Sequence, residues 1–221
     1  MSSLRNVLKC SFWSQPVAGV LLALVMGGCA SGPSSELTVT CDQSKSFTQT
    51  FPVAYSTQDS DGDTDIVLMD DAARRALDGE PVRAPVKQVL HIRVLWKPTR
   101  DVHADHTSAS NATIHWYVIG TSPKDAGVLE YAGTAMVVLE PGEGSTDVSI
   151  RTGTFKAVGS RGAVRDPLGE ASLRGSVRAR ESLERVRLAL KSVGTAIASA
   201  NKLPTEATAR NAPELPSSSA R

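Results

Sequence analysis

The sequence predicts an α+β domain built mainly of antiparallel β structure, a sandwich-like or open-barrel sheet of about six to eight strands. Two observations carry this. Apolar and polar residues alternate with a period of two in segment after segment between residues 37 and 202, with β-branched and aromatic residues prominent. Only two stretches have a helical period instead, a short one near 71–77 and an amphipathic one near 181–200. Residues 37–202 are enough for one domain with one core and too few for two.

The first strand candidates, ELTVTC and SFTQTFPVAY, are short, and DIVLM is shorter still. DDAARRALDG opens on acids, closes on Gly79 and is made of helix formers, which places a helix from about Asp71 to Leu77. KQVLHIRVLWK puts Leu90, Ile92, Val94 and Trp96 on one face and His91, Arg93 and Leu95 on the other, as a half-buried strand requires. ATIHWYVIG repeats the pattern, with Ile114, Trp116 and Val118 opposite His115, Tyr117 and Ile119. GVLEYAGTAMVVLEP and STDVSIRTGTFKAV flank the turn EPGEGS and should pair as a hairpin. EASLRGSVRAR sets Ala171, Leu173, Gly175, Val177 and Ala179 against Ser172, Arg174, Ser176 and Arg178. In the last helix Leu183, Val186, Leu190, Val193 and Ile197 recur every three or four residues, a stripe suited to covering one face of the sheet.

The residues before this domain carry a different signal. Arg5 and Lys9 give a positive start with no acid before Cys29, and the apolar run Val17–Met26 follows. Ten or so residues are too few to span a bilayer, which takes roughly 17–25, but match the core of an export signal. The run ends in Gly27, Gly28 and Cys29. This resembles the lipobox of bacterial lipoproteins, with Met26 in place of the usual leucine. The resemblance covers residues 1–29 only. It implies that 1–28 are a signal peptide removed by cleavage before Cys29, and that the Cys29 sulfur and the new amino terminus carry acyl chains of the palmitate class. The protein would then sit in the cell envelope, held at a membrane without spanning it. By the same analogy Ala30, rather than an aspartate, points to the outer membrane, facing the periplasm. Residues 29–36 would form a lipidated flexible tether, and 203–221, rich in Pro, Ala and Ser, a disordered tail.

Cys10 leaves with the signal and Cys29 is taken by lipid, so Cys41 has no internal partner for a disulfide and is expected to be buried at the end of its strand. The chain holds 24 Lys plus Arg against 23 Asp plus Glu; losing Arg5 and Lys9 leaves 22 against 23, a net of −1. That balance argues against a nucleic-acid partner.

Two clusters could ligate metal. DSDGDTDIVLMD, from Asp59 to Asp70, has carboxylates at alternate positions and resembles an EF-hand loop in part. The glycine required at the sixth position is Thr64, however, and Gly62 stands at the fourth, which fits an acidic hairpin turn better. Asp59, Asp61, Asp63 and Asp65 are the candidate Ca²⁺ ligands of a calcium-dependent binding module. His103 and His106, three residues apart, with His115 further along, have the donor types of a Zn²⁺ site and would define a metal-dependent hydrolase. No HExxH, Gly-x-Ser-x-Gly, P-loop or dinucleotide fingerprint accompanies them. The leading expectation is therefore a non-catalytic binding or assembly role in the envelope, with an envelope protein or glycan as partner.

Overall fold

The computed structural model describes residues 35–41, 45–95, 110–122 and 126–202. The signal segment, Cys29, Trp96, His103, His106 and the tail lie outside them. The described residues form nine strands and two helices: β1 (Ser35–Cys41), β2 (Ser46–Phe51), β3 (Val53–Gln58), β4 (Thr64–Met69), α1 (Asp71–Leu77), β5 (Val86–Val94), β6 (Ala112–Gly120), β7 (Gly127–Gly142), β8 (Ser145–Gly162), β9 (Ala171–Glu181) and α2 (Leu183–Ala200). The strand count exceeds the expected six to eight because Pro52, which has no N–H for a ladder, divides SFTQTFPVAY into β2 and β3. β1 opens at Ser35, inside the segment read from sequence as tether.

The sheet wraps into a ring without becoming a regular barrel. Its order is β2-β1-β9-β3-β4-β5-β6-β7-β8, and β8 pairs again with β9. Seven strands, β9, β3, β4, β5, β6, β7 and β8, thus close on themselves, while β1 and β2 form a flap. β1 lies against the first half of β9, from Ala171 to Ser176, and β3 meets β9 only at Arg180 and Glu181. That last contact is the one parallel pairing among the described strands; all others are antiparallel. We call the end carrying the 58–64 and 142–145 turns and the start of α2 the upper end.

Alternation decides what fills the ring. Inward residues of successive strands, among them Leu37, Leu68, Leu90, Ile92, Ile114 and Leu129, are fully buried. At the centre Trp116 meets Phe51, Phe155 and Tyr131 with ring centroids 6.2, 5.5 and 6.0 Å apart, Phe51 and Phe155 edge-on. The Tyr131 hydroxyl donates to Asp166 Oδ1 at 2.7 Å, and the same oxygen accepts from the backbone N–H groups of Leu168 and Gly169. This pins the 163–170 connection under the lower end, where Leu168 is buried as a plug. Cys41, at the foot of β1, is half-buried and packs on this core.

A second apolar layer lies outside the ring. The outward residues Val67, Met69, Val89, Ile119 and Val128 are buried under the helices, against Ala73, Val186, Ala189 and Val193. Burying a valine of this kind contributes about 1.5–2 kcal/mol relative to exposure, so the stripe read from sequence suffices to hold α2 on the sheet. Asp70 caps α1 by accepting from Ala73 N–H at 2.7 Å, and its second oxygen accepts from Gln88 N–H of β5 at 2.9 Å. Burial raises the Asp70 carboxyl pKa despite these two bonds. Ser182 caps α2, and Arg185 Nη1 reaches Asp78 at 2.6 Å to tie the helices together. Among the described residues no helix is long and apolar enough to cross a bilayer.

Candidate functional site

The outer face of β4 to β7 changes character toward the upper end. Where Met69, Val89 and Ile119 lie under the helices, the outward positions above them are Asp65, His91, Arg93, Thr113 and His115. The period of two puts His91 and His115 on the same side, and the antiparallel register makes them direct cross-strand partners. Their ring centroids are 6.4 Å apart. The Tyr117 ring stacks on His115 at 6.2 Å with planes 13° apart, so three rings form a ladder.

Each imidazole is oriented by a carboxylate on its far side. His91 Nε2 lies 2.8 Å from Asp65 Oδ1, and His115 Nδ1 lies 3.0 Å from Glu130 Oε1 of β7. The order across the sheet is therefore Asp65, His91, His115, Glu130, with like groups facing at the centre. Burial pushes the His91 imidazole below the usual histidine range, and the Asp65 hydrogen bond opposes that only in part. Burial, reinforced by Glu130, pushes the Tyr117 hydroxyl up to about 12. The His91 side chain retains 15% exposure and that of His115 36%, so the ladder is reachable from solvent at His115.

The acidic hairpin borders this face. Asp59 Oδ1 accepts from the N–H groups of Asp61 and Asp63 at 2.9 and 3.0 Å, the hydrogen-bonded turn expected around Gly62. Its other oxygen and Asp63 Oδ2 both accept from Arg93 Nη2, at 3.2 and 2.9 Å. Of the four candidate Ca²⁺ ligands, Asp59 and Asp63 converge on Arg93, Asp65 turns to His91, and Asp61 stands exposed on the turn. Among the described residues no group of three or more His, Cys, Asp or Glu is placed to hold a metal ion. Of the candidate Zn²⁺ ligands, His115 is the described one, and its carboxylate partner is Glu130.

The carboxylates of Asp59, Asp63, Asp65 and Glu130 share this face with Arg93. Paired strands, β4 to β7, carry its centre. Among the described residues both imidazoles hydrogen-bond to carboxylates, which fixes the orientation of each ring. Glu130 and Tyr117 were not singled out from sequence. The signal for both is their outward parity, but joining them to His115 requires the register of β6 with β7.

Compared with known protein families, with curated proteins and with solved structures, the chain matches none.

Proposed function

We propose that this chain is an envelope lipoprotein, anchored through acyl chains on Cys29, whose β ring has a non-catalytic binding role. In this reading the histidine face is the contact surface. The observation that carries the binding role is the row Asp65, His91, His115, Glu130: two imidazole–carboxylate pairs side by side on paired strands, partly open to solvent. Such a row suits a partner that presents cations or hydroxyl groups, whether an envelope protein or a glycan. The lipobox resemblance supports the location. Two acyl chains are enough for stable anchoring, at about 0.8 kcal/mol per buried methylene.

The test is membrane retention. Mass analysis of the Cys29 peptide from isolated membranes is expected to show the acyl additions. Cys29→Ser is expected to block lipid attachment and cleavage together, leaving a protein that still carries residues 1–28. A bare Cys29 thiol in membrane-bound wild-type protein would overturn the anchor.

A further inference from the structure

The opposite side of the ring carries opposite charge. Along β9 the outward residues are Ser172, Arg174, Ser176, Arg178 and Arg180, and all three arginines are exposed. Arg151 of β8 extends the same face. Glu36, Glu140 and Asp147 are acids in register beside these arginines. Arg178 forks onto Asp147 at 2.6 and 2.7 Å, whereas Arg151, Arg174 and Arg180 make no ion pair among the described residues. Arg174 and Arg180 lie about 20 Å apart along one strand, with the Arg178–Asp147 pair between them.

The chain enters the ring at this row. β1 runs beside β9, with Glu36 opposite Ser176 and Thr38 opposite Arg174. Its first residue, Ser35, lines the same notch as Arg178 and Arg180, where β1 gives way to β3 along the edge of β9. Five residues separate Ser35 from Cys29, and that length of chain reaches at most about 20 Å. A lipid on Cys29 therefore keeps Ser35, and the Arg178–Arg180 end of β9 beside it, within about 20 Å of the headgroups.

We propose that the β9 face lies on the surface of an anionic phospholipid bilayer, with Arg151, Arg174 and Arg180 meeting headgroup phosphates. This rests on acylation of Cys29. Guanidinium pairs with phosphate oxygens in a two-pronged geometry, and each basic residue near such a surface strengthens association roughly fivefold. The orientation also places the histidine face. Counted either way round the seven-stranded ring, β5 and β6 are the strands farthest from β9, so His91 and His115 point into the aqueous space where a partner can reach them.

The test uses the protein as isolated from membranes, reconstituted on phosphatidylcholine vesicles with or without phosphatidylglycerol and probed by hydroxyl-radical labelling. The same samples give the mass of the Cys29 peptide. Labelling of outward β9 and β1 side chains is expected to fall severalfold on the anionic vesicles only, and to recover in high salt or in Arg174→Glu/Arg180→Glu. The salt arm needs no variant and so does not depend on the variant's folding. Equal labelling on neutral and anionic vesicles with Cys29 acylated overturns this proposal and leaves the anchor standing. An unacylated Cys29 overturns the anchor, and the proposal falls with it.

Discussion

His91 combines a hydrogen-bonded carboxylate, a facing imidazole and the nearby Arg93 in one half-closed position, and burial outweighs Asp65 in setting its proton affinity. In the unfolded chain a histidine takes up its proton near pH 6.5, whereas folded His91 resists protonation until the pH is lower. The unfolded state therefore binds more protons as pH falls below that value, and stability is lost progressively down to the folded pKa. The expected outcome is that Tm falls between about pH 7.5 and 5.5 more steeply in the wild type than in His91→Asn, which keeps an N–H for Asp65 but does not titrate. Parallel Tm curves would show that His91 is not the group responsible. The outward parity of His91 and His115 is legible in the sequence, because a strand's two faces follow from alternation alone. Their facing each other across β5 and β6, and the identity of Asp65 and Glu130 as partners, are not, because register is set by turns and neighbours far along the chain.

β7 and β8 run well past the end of β6, and one side chain completes the ladder there. β6 stops at Ala112, opposite Ala135. Beyond it the buried Asn111 donates from Nδ2 to the Val137 carbonyl and accepts at Oδ1 from Val137 N–H, both at 2.8 Å. Its amide thus bonds the β7 edge as another strand's backbone would. Its own backbone bridges to Ala135 and Leu95. Asn111→Leu keeps the branched shape of the side chain but leaves two buried backbone groups without partners. Each such group costs about 1–3 kcal/mol, so a loss of roughly 3 kcal/mol in urea unfolding is expected, with Asn111→Asp also destabilised because a carboxylate would face the Val137 carbonyl. A loss below about 1 kcal/mol would mean that water replaces the amide. Asn111 reads as one more loop polar residue in TSASNATIHW, since a propensity cannot show that it bonds to a strand some 26 positions away. The helices were legible almost to the residue: α1 from its caps and α2 from its stripe, both local signals. The dual burial of Val67 and Ile119 was not, because outward apolar residues show their purpose only once α2 is laid across them.

Ring closure is uneven, and this sets how the whole molecule opens. On one side β9 pairs with β8 in nine register positions from Ala171 to Arg180; on the other it meets β3 at two, and in the weaker parallel sense. The seam is reinforced where β9 passes into α2, by Ser182 N–H donating to the Ser56 carbonyl at 2.9 Å, while Glu181 N–H turns the other way, to the Gly144 carbonyl before β8 at 3.1 Å. Few bonds and a neighbouring notch make this the lowest-cost place for a local opening. β6, by contrast, is paired along its full length on both edges and buries Ile114 and Trp116 at the ring's centre. In native-state hydrogen exchange the Ser182 amide should exchange roughly a hundredfold faster than the central amides of β6, with an opening free energy at least 2–3 kcal/mol below the global value. If Ser182 and the β6 amides exchanged alike at the global rate, the seam would open only with complete unfolding. In the orientation proposed above, the seam lies beside Ser35, against the headgroups. Binding to anionic vesicles should then slow exchange at the seam and leave β6 unchanged, because a surface that contacts only the closed ring stabilises it by mass action where it touches.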